Sequence, residues 1–353
     1  MTALKLGSLF DGIGVFPLAA VHCGIEPVWA SEIEARPISI TKRHFPDMLH
    51  LGDITKISGA EIPPVDVITF GSPCQDLSQI GTRNGFAGKK SSLFYQAMRI
   101  IEEMRYATNG RYPAFCIWEN VAGAFSSNDR LDFAAMLSAF TGAEVSVPPR
   151  GWAHAGMVRG GRADTAWRLL DAQYWGEPAL AQRRKRVFVV ADFAGQRAGE
   201  VLFKPRTVLP FSTISGPGGL SATQRGGVPA AQTGRQVPIV RPFSLRRMRT
   251  MAQVGDQKGF CASFGRGGEP FPTLLASVTA PFSFWYESEE RDGFLRVLTP
   301  LECERLMGLP ENWTKYGCKN EEISDHARYR ALGNSIALPC AEYVMAGIAE
   351  VMN

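Results

Sequence analysis

Short β-branched and apolar runs recur through the first 192 residues: LKLGSLF (4–10), PVWASE (27–32), VDVITFG (65–71), AFCIWEN (114–120) and RVFVVAD (186–192). Each has the length of a buried strand and ends at a turn-forming or polar residue. Between some of them lie segments with apolar residues three and four apart, SSLFYQAMRIIEEM (91–104) and RLDFAAMLSAF (130–140), the spacing of an amphipathic helix. Strands alternating with helices predict an α/β fold, a doubly wound, mostly parallel sheet. After Asp192 the texture changes. GPGG (216–219), RGG (225–227), GRGG (265–268) and frequent prolines replace helical periodicity up to about residue 295. RPFSLRRM and PFSFWYE carry enough aromatic residues to pack, so this stretch reads as a smaller, loop-rich, mainly β domain. Helical grammar returns at Thr299-Pro300-Leu301-Glu302, where a threonine N-cap, a proline at the first helical position and a capping-box glutamate coincide. A last helix from about Ser335 to Val351 closes the chain and is expected to return to the first domain. The expected organisation is a discontinuous domain, 1–192 plus 296–353, interrupted by an inserted domain at 193–295.

Composition adds little until it is resolved along the chain. At 353 residues, 45% hydrophobic and 20% charged, the sequence is long enough for one large and one small domain. No basic segment precedes a long apolar run near the N-terminus, and no window approaches 18 continuous apolar residues, so the reading is a cytoplasmic protein with no membrane segment. The seven cysteines (23, 74, 116, 261, 303, 318, 340) form no C-x-x-C pair, which argues against a disulfide framework and against zinc. The net charge of +4 hides an asymmetry: thirteen Lys and Arg stand against two acids between Ala181 and Thr250, leaving the remainder at −7. A basic segment on an acidic chain is the footprint of a polyanion partner, whose counterions are released on binding. The alternative is a solvated basic face with no nucleic-acid role.

Three strand ends carry the candidate chemistry. Leu9-Phe10-Asp11-Gly12-Ile13-Gly14 closes the first strand with glycines that let the backbone turn tightly, where open α/β sheets bind nucleotides. Glu32, twenty residues after Gly12, is placed to hold ribose hydroxyls, but a third fingerprint glycine would fall at Pro17. A nucleoside cofactor without phosphates therefore fits better than a dinucleotide. Gly71-Ser72-Pro73-Cys74-Gln75 brings a thiol to the end of the next central strand. A lone cysteine is most often inert filler, and a nucleophile needs company. Glu119-Asn120-Val121 supplies a carboxylate at the same edge, able to share a proton if burial raises its pKa. In Gln182-Arg183-Arg184-Lys185-Arg186 alternate residues share a face, so Arg184 and Arg186 can orient an anion or simply cap a strand.

Taken in order, these motifs resemble those of the DNA (cytosine-5) methyltransferases of prokaryotic or phage type. Phe10-x-Gly12-x-Gly14 resembles the family's cofactor motif, Ser72-Pro73-Cys74-Gln75 its nucleophile motif and Glu119-Asn120-Val121 its proton-donor motif. Gln182-x-Arg184-x-Arg186 resembles the arginine motif, RVLTPLECERLMG (296–308) the segment after the recognition domain, and Gly333-Asn334-Ser335-Ile336 the closing motif. The resemblance implies a Rossmann-like methyltransferase fold and an enzyme that moves a methyl group from S-adenosylmethionine to C5 of a flipped-out cytosine, leaving S-adenosylhomocysteine. It implies double-stranded DNA as partner, no metal, and a monomer.

By the same resemblance Cys74, Glu119, Arg184 and Arg186 are the catalytic set. Phe10, Gly12, Ile13, Gly14, Glu32, Ile33, Asp53, Ile54, Pro73, Asn334 and Ser335 surround the cofactor. Gln75, Ser78, Arg83 and Lys90, on a glycine-rich loop after the nucleophile, are candidate DNA contacts, and the 193–295 domain chooses the target. Departures from the pattern are Ser8 for an aspartate, Val15 for a glycine, Ile33 for a tryptophan, Lys90 for an arginine and three extra residues, Ala179 to Ala181, ahead of Gln182. Residues 144–165 read as an elaborated loop without assignment.

Three other readings compete. A nicotinamide oxidoreductase shares the sheet and Glu32 but leaves Cys74 and the basic segment unexplained. A zinc nucleobase deaminase requires P-C-x-x-C and H-x-E, whereas Leu77 takes the second cysteine position and no H-x-E occurs. A catalytically impaired, DNA-binding or regulatory relative of the methyltransferases shares every motif and differs only in turnover.

Overall fold

The computed structural model describes residues 3–72, 93–204, 271, 273–274 and 297–353 in full, and the backbone of 239–242, 283–288 and 291–296. The large sheet is built from β1 (Lys5–Leu9), β2 (Glu26–Ser31), β3 (Leu49–His50), β4 (Val67–Phe70), β5 (Phe115–Val121), β6 (Ala155–Arg159), β7 (Asp164–Asp171) and β8 (Lys185–Asp192). Its eight strands run in the order β3-β2-β1-β4-β5-β8-β7-β6. The five from β3 to β5 are parallel, whereas β8, β7 and β6 continue in antiparallel pairs. The α/β class and mostly parallel sheet expected from the sequence are present. Two features differ: β8 runs against β5, and the unassigned 144–165 stretch leads into the β6–β7 hairpin.

Chain order reverses at β1, which pairs with β2 on one side and β4 on the other. This opens a crevice beyond the carboxyl ends of those strands. Both faces of the sheet are covered, and alternate residues of β8 record it: Phe188 and Val190 join one core, Val187, Val189 and Ala191 the other. The first core holds α1 (Val15–His22), α5 (Ala198–Leu202) and the closing helix α8 (Leu338–Met352), through Ala19, Ala20, Val201, Val344 and Ile348. The second holds α3 (Leu93–Ala107) and α4 (Leu131–Thr141), through Phe94, Ile101, Phe133 and Phe140, packed edge-on around Trp118. α2 (Ala35–His44) links β2 to β3.

A second, three-stranded antiparallel sheet is made by β9 (Ile239–Pro242), β10 (Ser283–Ser288) and β11 (Arg291–Val297), in the order β11-β10-β9. The chain then enters α6 (Pro300–Leu306), whose capping box forms: Thr299 N–H donates to Glu302 Oε2 at 2.7 Å, and Glu302 N–H to Thr299 Oγ1 at 3.3 Å. α7 (Asp325–Asn334) precedes α8. Among the described residues no single helix is long and apolar enough to cross a membrane.

Candidate active site

The turn after β1 is set by backbone sign. Phe10, Gly12 and Gly14 have φ of 54, 60 and 78°. Glycine adopts this region freely, whereas for Phe10 it costs on the order of 1–2 kcal/mol, a strain found where function fixes the backbone. Glu32 stitches this turn to the end of β2. Its Oε2 accepts Gly12 N–H at 2.9 Å, and its Oε1 accepts those of Ile33 (2.7 Å) and Glu34 (3.0 Å). A Cβ built on Gly12 would meet nothing within 4 Å, so the turn faces open space.

Ile33 flanks that turn with 72% of its surface exposed, an apolar side chain without cover. Asp53 caps the short helical turn Ile54–Lys56, its Oδ1 accepting Thr55 N–H (2.9 Å) and Oγ1–H (2.8 Å). Those bonds hold its carboxyl below the usual range and leave Oδ2 outward. Ser31 Oγ donates to Gly52 O at 2.7 Å, tying the Asp53 loop to β2. Ile13 and Ile54 are buried beneath. Behind Ile13, Trp313 Nε1 donates to its carbonyl at 2.8 Å, and His44 stacks on the indole at 3.5 Å. Asn334 ends α7 exposed, and Ser335 follows it.

This donor set fits a nucleoside with a cationic tail. Phe10 and Ile33 offer apolar faces, Glu32 and Asp53 offer acceptors, and the turn carries an aspartate where a phosphate cradle would need N–H groups free of carboxylates. Restoring the ring that relatives of this type carry gives a direct check. Ile33→Trp should tighten S-adenosylhomocysteine binding about three- to tenfold, read by calorimetry, because an added aromatic face contributes about 0.5–1.5 kcal/mol.

The catalytic groups meet at the ends of β4 and β5. These strands are parallel neighbours with Phe70 opposite Trp118, so Gly71-Ser72 and Glu119-Asn120 leave the sheet side by side. Ser72 is pinned twice. Its carbonyl accepts Asn120 Nδ2 at 3.0 Å, and its hydroxyl accepts Trp118 Nε1 at 3.1 Å. Pro73, Cys74, Gln75, Ser78, Arg83 and Lys90 lie outside the described residues, but the chain that carries them starts from this fixed point.

Glu119 is 9% exposed, and burial pushes its carboxyl pKa up against the opposing pull of Arg186 and Arg184. Arg186, opposite Val121 in the β5–β8 register, places Nε 2.9 Å from Glu119 Oε1. The approach lies off the N–H direction, so Oε1 has no aligned donor and keeps a lone pair for one.

Arg184, grouped with the catalytic residues by its motif, is 1% exposed, and its guanidinium donates to three backbone carbonyls. Nη1 reaches Leu274 O at 3.0 Å, and Nη2 reaches Gly333 O at 2.8 Å and also Ser335 O. One side chain thereby joins β8, a segment of the 193–295 stretch and the closing motif. Gln182 faces the same interior and donates to Leu306 O at 3.2 Å. Arg184→Met should lower unfolding free energy by about 3 kcal/mol or more in urea titrations, because it strands buried carbonyls that cost about 1–3 kcal/mol each.

Sequence reasoning missed Asp11, whose buried carboxylate sits in the turn itself, and the anchoring roles of Ser72, Trp118 and Asn120. All but Trp118 lie inside or beside quoted motifs; no pattern marks the Trp313 buttress.

Comparison with known proteins agrees with this geometry. The phage P1 protein of Escherichia named DNA N-6-adenine-methyltransferase is 24% identical over 98% of this chain, which spans 61% of that protein's length. Type II methyltransferase M1.ScrFI of Lactococcus lactis subsp. cremoris is 26% identical, with 99% of this chain and 78% of the relative covered. Among solved structures, a prophage-encoded DNA modification methyltransferase of E. coli superposes with a TM-score of 0.61 at 17% identity, over 99% of this chain and 100% of that one, which supports the fold. The sequence model of the family described as C-5 cytosine-specific DNA methylase matches residues 4–205 and 246–350, a span that includes every catalytic and cofactor motif above, and the chain belongs to that family.

Proposed function

We propose that this chain methylates C5 of cytosine in a specific duplex DNA sequence, using S-adenosylmethionine and releasing S-adenosylhomocysteine. The observation that carries the reading is the buried Glu119, raised in pKa, paired with Arg186 and adjacent to the pinned Ser72 from which the Cys74 loop departs. A stacked cytosine cannot present C6 to a side chain, so the base swings out at a cost of a few kcal/mol. The Cys74 thiolate then forms a bond to C6 while Glu119 donates a proton to N3, so the electron pair pushed into the ring ends at C5. Arg186 holds Glu119 and the base edge. When bound, S-adenosylmethionine supplies an electrophilic methyl carbon to that C5. Loss of the C5 proton and expulsion of Cys74 as thiolate restore the aromatic ring. Covalent catalysis divides one hard step into easier ones.

In this reading 1–192 with 296–353 forms the catalytic domain and 193–295 the target-recognition domain, whose arginines contact phosphates and guanine edges. The loop with Gln75, Ser78, Arg83 and Lys90 closes over the DNA and shields the adduct from water. Pro73, Asn334 and Ser335 complete the cofactor wall, and a single chain on double-stranded DNA in the cytoplasm suffices. Bisulfite sequencing of DNA from cells expressing the protein, with transfer of labelled methyl groups to duplex DNA in vitro, tests this. C5-methylcytosine in one sequence context is expected. Label on the adenine amino group would move the chemistry to that suggested by the phage P1 relative's name. No label on mixed-sequence DNA would leave a binding-only relative.

A further inference from the structure

The turn that faces the cofactor crevice contains a carboxylate with no donor. Both oxygens of Asp11 are buried and lack a hydrogen-bond partner, although the residue as a whole is only half-buried at the rim of the turn. Two further orphans lie below it on one face of the sheet. Ser8 Oγ and Thr69 Oγ1 are also buried and unpartnered, and the β1–β4 register sets Ser8 directly beside Thr69. A buried carboxylate without donors is costly, and native structures resolve such groups with a bound partner or by neutralising them.

The groups that face Asp11 are Ser8 on β1, Thr41 on α2 and the carboxylate of Glu32 after β2. None is a cation, and the Thr41 hydroxyl is already directed to Pro37 O (3.0 Å) and Gly12 O (3.2 Å). Burial, reinforced by Glu32, raises Asp11 to about 7. The missing partner must therefore be a cation that donates hydrogen bonds and reaches the open side of Gly12. Of the two positive groups on S-adenosylmethionine, the sulfonium has no N–H to give and the α-ammonium has three.

We propose that Asp11 receives the α-ammonium group of the cofactor's amino-acid tail, and that the cofactor displaces the proton Asp11 holds in the free protein. The proposal rests on the cofactor reading above and adds a recognition residue and a proton linkage to it. The linkage sign is fixed. A carboxyl whose pKa is raised on folding weakens the fold as pH rises from its ordinary value of 3.8 to about 7, and a cation that needs the ionised form binds more tightly over the same rise.

The test compares wild type with Asp11→Asn, which keeps the shape and removes the charge, in calorimetric titrations with S-adenosylhomocysteine and with 5′-methylthioadenosine, which lacks the amino-acid tail. Loss of a charge-assisted contact should weaken S-adenosylhomocysteine at least tenfold above neutral pH and leave methylthioadenosine unchanged. Wild-type affinity for S-adenosylhomocysteine should climb by close to a factor of about ten per pH unit below pH ~7 and then level, while the variant stays flat. The ligand-free variant should unfold at a higher temperature than wild type above pH 7 and converge with it near pH 4, which shows that the loss of binding is not loss of fold. Equal S-adenosylhomocysteine affinity in both proteins, or equal losses for both ligands, overturns the proposal. A wild-type protein that binds no S-adenosylhomocysteine overturns the cofactor reading, and this proposal with it.

Discussion

Glu119→Gln should lower the rate of methyl transfer by about 10²- to 10⁴-fold, the range that positioned proton transfer contributes, while leaving cofactor affinity close to wild type. Glutamine keeps the volume and can still donate a hydrogen bond, but it cannot hand over a proton or balance Arg186. The structural reason to expect so large an effect is the conflict at Glu119. Desolvation favours its neutral form, Arg186 at 2.9 Å favours the anion, and the desolvation effect is the larger. A carboxyl in that balance is protonated at higher pH than an ordinary glutamate and is available as a donor to N3. The sign of the pH dependence follows. If the protonated form is the active one, single-turnover rates in wild type fall as pH rises through the raised pKa, and the variant lacks that limb. The same shift means the fold holds a proton that the unfolded chain has lost, so stability also declines across that interval. Single-turnover methylation at saturating DNA, followed across pH, checks both statements. A variant that methylates at the wild-type rate would remove Glu119 from the chemistry.

The sheet was readable because its strands are buried on two faces and therefore written as short apolar runs. VDVITFG, AFCIWEN and RVFVVAD contain β4, β5 and β8. Strand direction is not written that way. An apolar run is the same in parallel and antiparallel pairing, so the reversal of β8 against β5 needed the structure. The β6–β7 hairpin escaped for a different reason. β7, DTAWRLLD, has Thr165 as its single β-branched residue and an arginine in its apolar stretch, and β6 is a partly exposed edge. The capping box at Thr299 was readable because it is local, four residues in a row.

Site residues divide along the same line. Glu32, Glu119 and Arg186 stand at strand ends, where periodicity and motif order place them. Arg184 carries the same motif spacing, yet its partners at Leu274, Gly333 and Ser335 are 90 to 151 residues away, and nothing local announces that its charge turns inward. Asp11 occupies the variable position of F-x-G, where sequence alone shows a polar residue in a turn, and only burial shows that it lacks a partner.

Cys74→Ser should reduce turnover by at least about 10⁴-fold, the scale of losing a covalent nucleophile in other enzymes, and leave S-adenosylhomocysteine binding intact. A hydroxyl ionises far less readily than a thiol and is a poorer match for the soft C6 carbon. The claim is sharpened by the other cysteines. Burial pushes Cys23 up to about 11 and Cys340 up to about 12, and holds Cys116 and Cys303 still more firmly as thiols. Cys318 is exposed but engaged by Ser39 Oγ on α2. None of these offers a thiolate at the β4–β5 edge, whereas the chain leading to Cys74 leaves that edge from Ser72, held by Trp118 and Asn120 beside Glu119. DNA carrying 5-fluorocytosine at the target makes the bond visible. After methylation C5 bears fluorine where it would bear a proton, fluorine cannot depart as a cation, and the sulfur cannot be expelled. Wild-type protein incubated with that DNA and S-adenosylmethionine should give a protein–DNA complex stable to denaturant, and Cys74→Ser should give none. A trapped complex with the serine variant would place the covalent bond on another residue.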